Sequence, residues 1–320
     1  MDGGQYKYHY PDKDVTWLKR DTLLFHLSIG IPTTHLQYLY EGHPAYDVFP
    51  TFPTVLAYKG TEQDIVDYRT MGKPTDIHLP GIPKFDRSRV VDAHKRIILH
   101  KPLAAIPAKH QSLAIQQELT GIYDKGLSGT LIETASYLVD RSSGSRYATI
   151  IGAVMARGQG GWGGSRGPSL ATFPVPATTQ PDYVHVYQTT HQTPLLFRLN
   201  GDYNPLHAEP SHGRQMGLGG VVIHGLFTWN VAAYAVCEAT GALKIPTAVR
   251  LKDFQARFAS PVYPGDALTT QMWEMAHGTG AEGHKERIIL FTVRNQDGTV
   301  VLSNGRALFR STSKGSSAKM

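Results

Sequence analysis

Between Phe197 and Pro210 the chain reads FRLNGDYNPLHAEP, which gathers Asp202, Asn204 and His207 around Pro205 just after an apolar run. Asp202 and His207 stand five residues apart across Asn204-Pro205, and the proline fixes a turn and ends any strand there. Such a turn lets the two side chains converge. A carboxylate beside an imidazole can anchor one ring nitrogen or share a water with it, a pairing suited to moving protons at neutral pH. Spacing alone equally allows Asp202 and Asn204 to cap and turn the chain, with His207 a surface histidine.

A second feature lies downstream. His224-Gly225 opens the run HGLFTWNVAAYAVCEATG, which is apolar almost all round and ends at Gly241, as a buried helix would. The start of such a helix leaves N–H groups unpaired and points its positive dipole end outward. Gly225 there lets a carbonyl oxygen approach the backbone, as an oxyanion site requires, though glycine also meets a purely steric demand of a helix start. His185, His191, His207, His212 and His224 show no zinc-ligand spacing, so no metal is expected. The single cysteine, Cys237, rules out an internal disulfide and reads as a buried structural thiol.

The elements that must position these groups form a repeated theme. RIILHKPLA, SLAIQQELTGIYDKG, SGTLIETASYLVD and RYATIIGAVMAR, between about Arg96 and Arg157, read as an antiparallel meander broken by Lys-Gly and Ser-Ser-Gly turns. Upstream, Asp14 to Gly30 and Thr54 to Lys59 read as helices, with Pro44, Pro50 and Pro53 between. After the buried helix, AVRLKDFQARFAS, DALTTQMWEMA, ERIILFTVRN and VVLSNGRALFR alternate apolar and polar residues around Pro-Gly and Asp-Gly turns. Helix followed by meander, twice, predicts an α+β chain of two antiparallel sheets, each wrapped around a long central helix: a double hotdog. The expected units are 1–157, a Gly/Pro-rich linker at 158–182, 183–312 and a polar tail at 313–320. Gly158-x-Gly160-x-x-Gly163 in the linker has the form of a dinucleotide fingerprint. The Gly-Ser-Arg-Gly-Pro that follows cannot open a helix, so a nucleotide site is rejected.

Composition narrows the partners. The 320 residues are 41% hydrophobic and 18% charged, an ordinary globular balance that can bury a sizeable core. A net charge of +6 comes from scattered Lys and Arg with no polybasic run, so nucleic acid is not expected. No apolar run reaches membrane-spanning length, and the N-terminus lacks a signal-peptide core. The tail ends in Ala318-Lys319-Met320, a small-basic-aliphatic tripeptide similar to the Ser-Lys-Leu peroxisomal address. A peroxisomal import receptor is therefore an expected partner, with a cytoplasmic location otherwise.

LNGDYNPLHAEP with IHGL downstream resembles the signature of the hydratase 2 group in the MaoC-like hotdog family. ARFASPVYPGDALTTQMWEM resembles that family's next strand and turn. QYLYEGHPAYDVFPTF and GGWGG resemble the first half of its eukaryotic double-hotdog members, so the likeness runs from about 30 to 312. The resemblance implies (R)-specific hydration of a trans-2-enoyl-CoA to the (3R)-3-hydroxyacyl-CoA, or the reverse dehydration, with no cofactor beyond the CoA thioester substrate. Asp202 and His207 would hold the water, Gly225 N–H would bind the thioester oxygen, and Asn204 would orient the loop or the thioester. Gly201, His224 and Phe227 would adjoin substrate, and Lys252 and Arg257 would meet the nucleotide end of CoA. The first half lacks the catalytic motif and would accommodate the acyl chain, with Tyr46, Phe49, Phe52 and Val55 as tunnel or core residues. Two halves in one chain permit a monomer or a homodimer. Departures from the family pattern fall at Asp92 and His94 in VDAHKRIILHKPL, at Asn200, and at the bulky Phe227 and Trp229. They make a specialised acyl-CoA or polyketide-derived substrate an alternative, ahead of a thioesterase or a non-catalytic acyl-CoA binder.

Overall fold

The computed structural model describes residues 7–68, 70, 79–169, 171–243, 249–275, 278–279 and 284–314. The tripeptide at 318–320 lies outside them. In chain order the elements are β1 (Tyr8–His9), β2 (Lys13–Asp14), α1 (Lys19–Ser28), α2 (Leu36–Leu39), α3 (Pro53–Lys59), β3 (Val90–Leu99), β4 (Leu113–Asp124), β5 (Gly129–Asp140), β6 (Ser145–Arg157), β7 (Tyr183–Gln188), α4 (Thr193–Phe197), α5 (Pro210–Gln215), α6 (Gly225–Ala239), β8 (Val249–Phe258), β9 (Ala267–Glu274), β10 (Gly278–Thr279), β11 (His284–Arg294) and β12 (Val300–Lys314).

The two meanders join edge to edge in one twelve-stranded sheet, ordered β1-β4-β5-β6-β3-β8-β12-β11-β9-β7, with β2 on β4 and β10 on β11. The seam is the antiparallel pair β3–β8, running from His94 opposite Arg257 to Ile98 opposite Asp253. Arg96 on β3 crosses it to the buried carboxylate of Asp253. Trp229 on α6 adds a tie, its indole N–H donating to Lys95 O at 3.3 Å.

α6 is the central rod of the second half, with every residue from Leu226 to Cys237 buried. It stops because Gly241 takes a left-handed φ of 73°. Gly241 N–H then reaches Glu238 O at 2.9 Å and Ala242 N–H reaches Cys237 O at 3.0 Å, which satisfies two terminal carbonyls. The first half differs from the expected symmetry. Its longest helix among the described residues, α1, has ten residues, and α3, which begins at Pro53 and ends at Gly60, has seven. Pro44, Pro50 and Pro53 break the segment that would otherwise extend into a rod. α1 also starts later than its apolar pattern suggests, because Asp21 Oδ2 accepts Leu18 N–H at 2.8 Å and fixes the start there.

What replaces the rod is held by one histidine. His26, fully buried, donates through Nδ1 to Tyr38 O, and its Nε2 accepts Phe49 N–H at 2.9 Å. Tyr38, Phe49, Phe52, Val55 and Trp17 pack around it in a core continuous with α6. Burial holds the His26 imidazole down at about 4.

The linker glycines are spoken for. Asp124 accepts N–H groups from Gly126 and Gly161 on Oδ1 (2.8 and 2.7 Å) and from Gly163 on Oδ2 (2.8 Å). Trp162 donates to Thr130 Oγ1 at 2.8 Å, and a Cβ on Gly160 would stand 2.2 Å from Gly126 O. The N–H groups that a dinucleotide would need thus close on the protein's own carboxylate, in keeping with the rejection of that site.

Two outcomes follow from these anchors. His26 is neutral in the fold and titrates near 6.5 when unfolded, so its contribution is complete above pH 6.5 and is lost as pH falls towards about 4. Denaturant titrations should show stability declining there by up to about 1.4 kcal/mol per pH unit, a slope that His26→Gln should flatten. Asp124→Ala should open residues 158–165 to limited proteolysis while the far-ultraviolet circular dichroism stays unchanged.

Candidate active site

α4 leads into a 3-10 turn, Arg198–Asn200, and then Gly201 adopts a φ of 113°. A Cβ on Gly201 would lie 2.6 Å from Lys59 N and 2.8 Å from Lys59 Cα, so the loop backbone rests directly on the end of α3. Asn200 pins the same loop to α1, donating from Nδ2 to Ser28 Oγ at 2.9 Å. Asn204 then caps the 3-10 turn Pro205–His207 by accepting Leu206 N–H at 3.0 Å. Its own N–H faces Asp202 Oδ1 at 3.4 Å. Asn204 therefore orients the loop, and its side-chain oxygen is occupied in doing so.

Asp202, His207 and His224 each bring one oxygen or nitrogen within 4.8 Å of the others. His207 donates from Nδ1 to Val222 O at 2.8 Å, which leaves Nε2 carrying a lone pair in the neutral ring. His224 stacks on it, with centroids 3.5 Å apart and planes at 22°, and donates from Nε2 to Asp202 O at 3.3 Å. Phe197 closes the other side of His224 at 5.0 Å. Two imidazoles and a carboxylate form a familiar metal-ligand set by type. Near-parallel stacked rings, however, send their in-plane lone pairs side by side rather than onto one ion, so the set is poorly arranged for a metal.

Electrostatics favour proton traffic. Burial pushes the Asp202 carboxyl above the usual carboxylate range, opposed by His207, by Asn204 N–H and by Lys95, while Asp92 adds to the rise. Burial lowers the His207 imidazole, opposed by Asp202 and by the Val222 carbonyl. His224 is held well below its ordinary value by burial and by His207 beside it, so it stays neutral and keeps its Nε2 proton on Asp202 O.

Gly225, next in the chain, begins α6 half-buried, and its N–H has no hydrogen-bond acceptor among the described residues. A Cβ there would meet the Phe258 ring at 3.1 Å and stand 3.8 Å from Asp92 Oδ2. Any larger side chain would narrow the approach to the N–H.

Of the residues anticipated at the site, Gly201, Asp202, Asn204, His207, His224 and Gly225 come together. Phe227 does not: it is fully buried, edge-on to Tyr187 at 5.5 Å and to Phe197 at 5.7 Å, and serves the core. Lys252 lines a cavity with Cys237, twelve residues along α6 from Gly225, or about 18 Å away at 1.5 Å per residue. Arg257 neighbours Phe258 on β8, and strand alternation turns it to the opposite face, where it donates to Ala171 O at 3.3 Å. Phe52 and Val55 lie in the core, Tyr46 bonds Thr22 Oγ1 at 2.6 Å, and Phe49 is the member of that group that lines a cavity. Sequence reasoning missed what the first half brings: Asp92 and Lys95 on β3 act on Asp202, and both Asp202 and Asp92 act on the Tyr58 phenol of α3. The unusual VDAHK stretch was the one signal pointing to them.

Comparison with known proteins identifies the family. Residues 16–158 match the model of the MFE-2 hydratase 2 N-terminal domain, and residues 173–295 match that of the MaoC like domain. "Probable dehydratase NIT22" of Ajellomyces capsulatus is 40% identical over 98% of this chain and 84% of its own length. "Enoyl-CoA hydratase 2, peroxisomal" of Arabidopsis thaliana is 32% identical over 82% of this chain and 84% of its own. The crystal structure of a MaoC-like dehydratase from Phytophthora capsici superposes with a TM-score of 0.76 at 28% identity, covering 95% of this chain and 96% of that one. With both halves matched and the likeness running along nearly the whole length, the chain belongs to the MaoC-like hydratase 2 family.

Proposed function

We infer that the protein catalyses (R)-specific hydration of trans-2-enoyl-CoA to (3R)-3-hydroxyacyl-CoA and the reverse dehydration. The observation that carries this reading is the convergence of Asp202 and His207, with His224 stacked on His207 and followed by Gly225 at the start of α6. A water donating one hydrogen to the Asp202 carboxylate and one to His207 Nε2 presents its lone pair to C3. As the C3–O bond forms, the pair takes a proton from the water and electron density moves through C2 onto the thioester oxygen. Gly225 N–H, at the positive end of α6, stabilises that oxygen. Return of a proton from the pair to C2 on the same face completes the addition and resets both groups. His224 fixes the Asp202 backbone throughout. The thioester itself acidifies C2, so the scheme calls for no cofactor.

Direction belongs to the cell rather than the site, since one set of contacts serves both; a relative named as a dehydratase and one named as a hydratase are each similar to this chain. The peroxisomal relative supports a peroxisomal location. Among the described residues no helix is long and apolar enough to cross a membrane.

Asp202→Asn and His207→Ala should each lower kcat on crotonyl-CoA by about 10²–10⁴-fold while CoA affinity persists. Wild-type turnover in either would remove that residue from the mechanism, and thiol release without 3-hydroxyacyl product would point to thioester hydrolysis instead. Because the raised Asp202 must be ionised to accept a proton, log kcat/KM should fall as pH drops through a midpoint above the ordinary 3.8. A fluorescent fusion leaving Met320 free should be punctate and coincide with a peroxisomal marker; a diffuse signal would overturn that location.

A further inference from the structure

β3 meets the reaction centre through an irregularity. Asp92 stands opposite Val154, His94 opposite Ala153 and Lys95 opposite Gly152, so β3 spends one residue more than β6 and Ala93 is the extra one. Residues three apart on a regular strand face opposite sides of the sheet; the bulge puts Asp92 and Lys95 on the same side. That side is the inner one, since Ile97, two residues after Lys95, is fully buried opposite Phe254. His94 and Arg96 point the other way, to Glu133 at 3.7 Å and to Asp253.

β8 repeats the bulge in the second half. Leu251 stands opposite Phe309, Asp253 opposite Leu308 and Phe254 opposite Ala307, with Lys252 as the extra residue. Leu251 and Phe254 therefore hold the places that Asp92 and Lys95 hold in β3, and both are buried in the core. One backbone form takes an apolar pair in one half and a carboxylate with an ammonium in the other. The fold does not demand the charged pair, so its reason lies in what it faces.

It faces the start of α6. Asp92 Oδ2 lies 3.8 Å from where a Cβ on Gly225 would stand, and Lys95 O accepts the indole N–H of Trp229, one turn further along α6, at 3.3 Å. Both charges act on Asp202, and both Asp92 and Asp202 act on the phenol of Tyr58, at the end of α3 beneath the same loop. Asp92 is exposed. Among the described residues its carboxylate, the Lys95 ammonium and the Tyr58 phenol are neither hydrogen-bonded nor ion-paired. An anion beside Gly225 works against the charge that builds on the thioester oxygen, so an unpaired carboxylate there is unfavourable unless the substrate brings it a donor. A plain alkyl chain brings none. A hydroxyl brings one, and its oxygen can accept from Lys95 or Tyr58 in return.

We propose that Asp92, Lys95 and Tyr58 form a polar wall that selects 2-enoyl thioesters carrying a hydroxyl on C4 or C5 of the acyl chain, with Asp92 accepting the hydrogen bond from that hydroxyl. The proposal rests on the hydratase reading and names its substrate class. It is tested on the full chain with trans-2-hexenoyl-CoA and its 4-hydroxy and 5-hydroxy forms, comparing kcat/KM within each variant so that any general effect through Asp202 cancels. The wild type should favour one hydroxylated ester over the plain one by about tenfold or more, as a hydrogen bond to a charged group gives. Asp92→Leu, the residue that the twin bulge already carries, should bring that ratio close to unity, and Asp92→Asn should leave it in between. Calorimetric titration with the saturated esters, hexanoyl-CoA and its 4-hydroxy and 5-hydroxy forms, should show the same preference without turnover and its loss in Asp92→Leu.

Equal kcat/KM for plain and hydroxylated esters in the wild type would overturn the wall. A ratio unchanged in Asp92→Leu, with all esters losing alike, would overturn it too, by confining Asp92 to the carrier arm or to Asp202. A wild type that binds a hydroxylated saturated ester preferentially but hydrates none of the enoyl esters would count against the hydratase reading and leave the wall standing.

Discussion

The structure turns on keeping one carboxylate and two imidazoles crowded and largely dry. Water would relax the charges that make the cluster useful, so every group in it is held by the backbone rather than by solvent. The Val222 carbonyl takes one proton of His207, and the Asp202 carbonyl takes one from His224. Stacking of the two rings sets their separation. In that enclosed space the buried Asp202 clings to a proton more than an aspartate should, and the buried His207 holds one less than a histidine should. A pair displaced in opposite directions is suited to passing a proton back and forth.

That crowding depends on the half of the chain that carries no catalytic motif. Gly201 can place Asp202 because α3 ends beneath it, and Asn200 steadies the loop on α1. Asp92 and Lys95 then bias the charge of Asp202 from β3. Among its described residues the first half has no long central rod, and it forms the floor and one wall of its neighbour's candidate site. His26 holds that floor together, since a single ring joins the Tyr38 and Phe49 segments.

The proline-fixed turn at 202–207 and the helix start at 225 were legible in the sequence because their geometry is set within a few residues. The two meanders were legible for the same reason, through alternation and turn residues. Phe227 was misplaced because a rod buried all round shows no polar face to distinguish core from pocket. Lys252 and Arg257 stand away from Gly225 because strand alternation and distance along α6, not charge, decide which space they enter. The partnership of Asp92 and Tyr58 with Asp202 arises across more than a hundred residues of chain, where local pattern carries no information.

The seam between β3 and β8 has a further consequence. Two separate subunits meeting there would come apart on dilution, uncovering two raw strand edges and splitting Asp92 from Gly225. Here both edges belong to one polypeptide, and the tether keeps their local concentration high regardless of how much protein is present. The residues that converge at the candidate site thus all come from a single polypeptide.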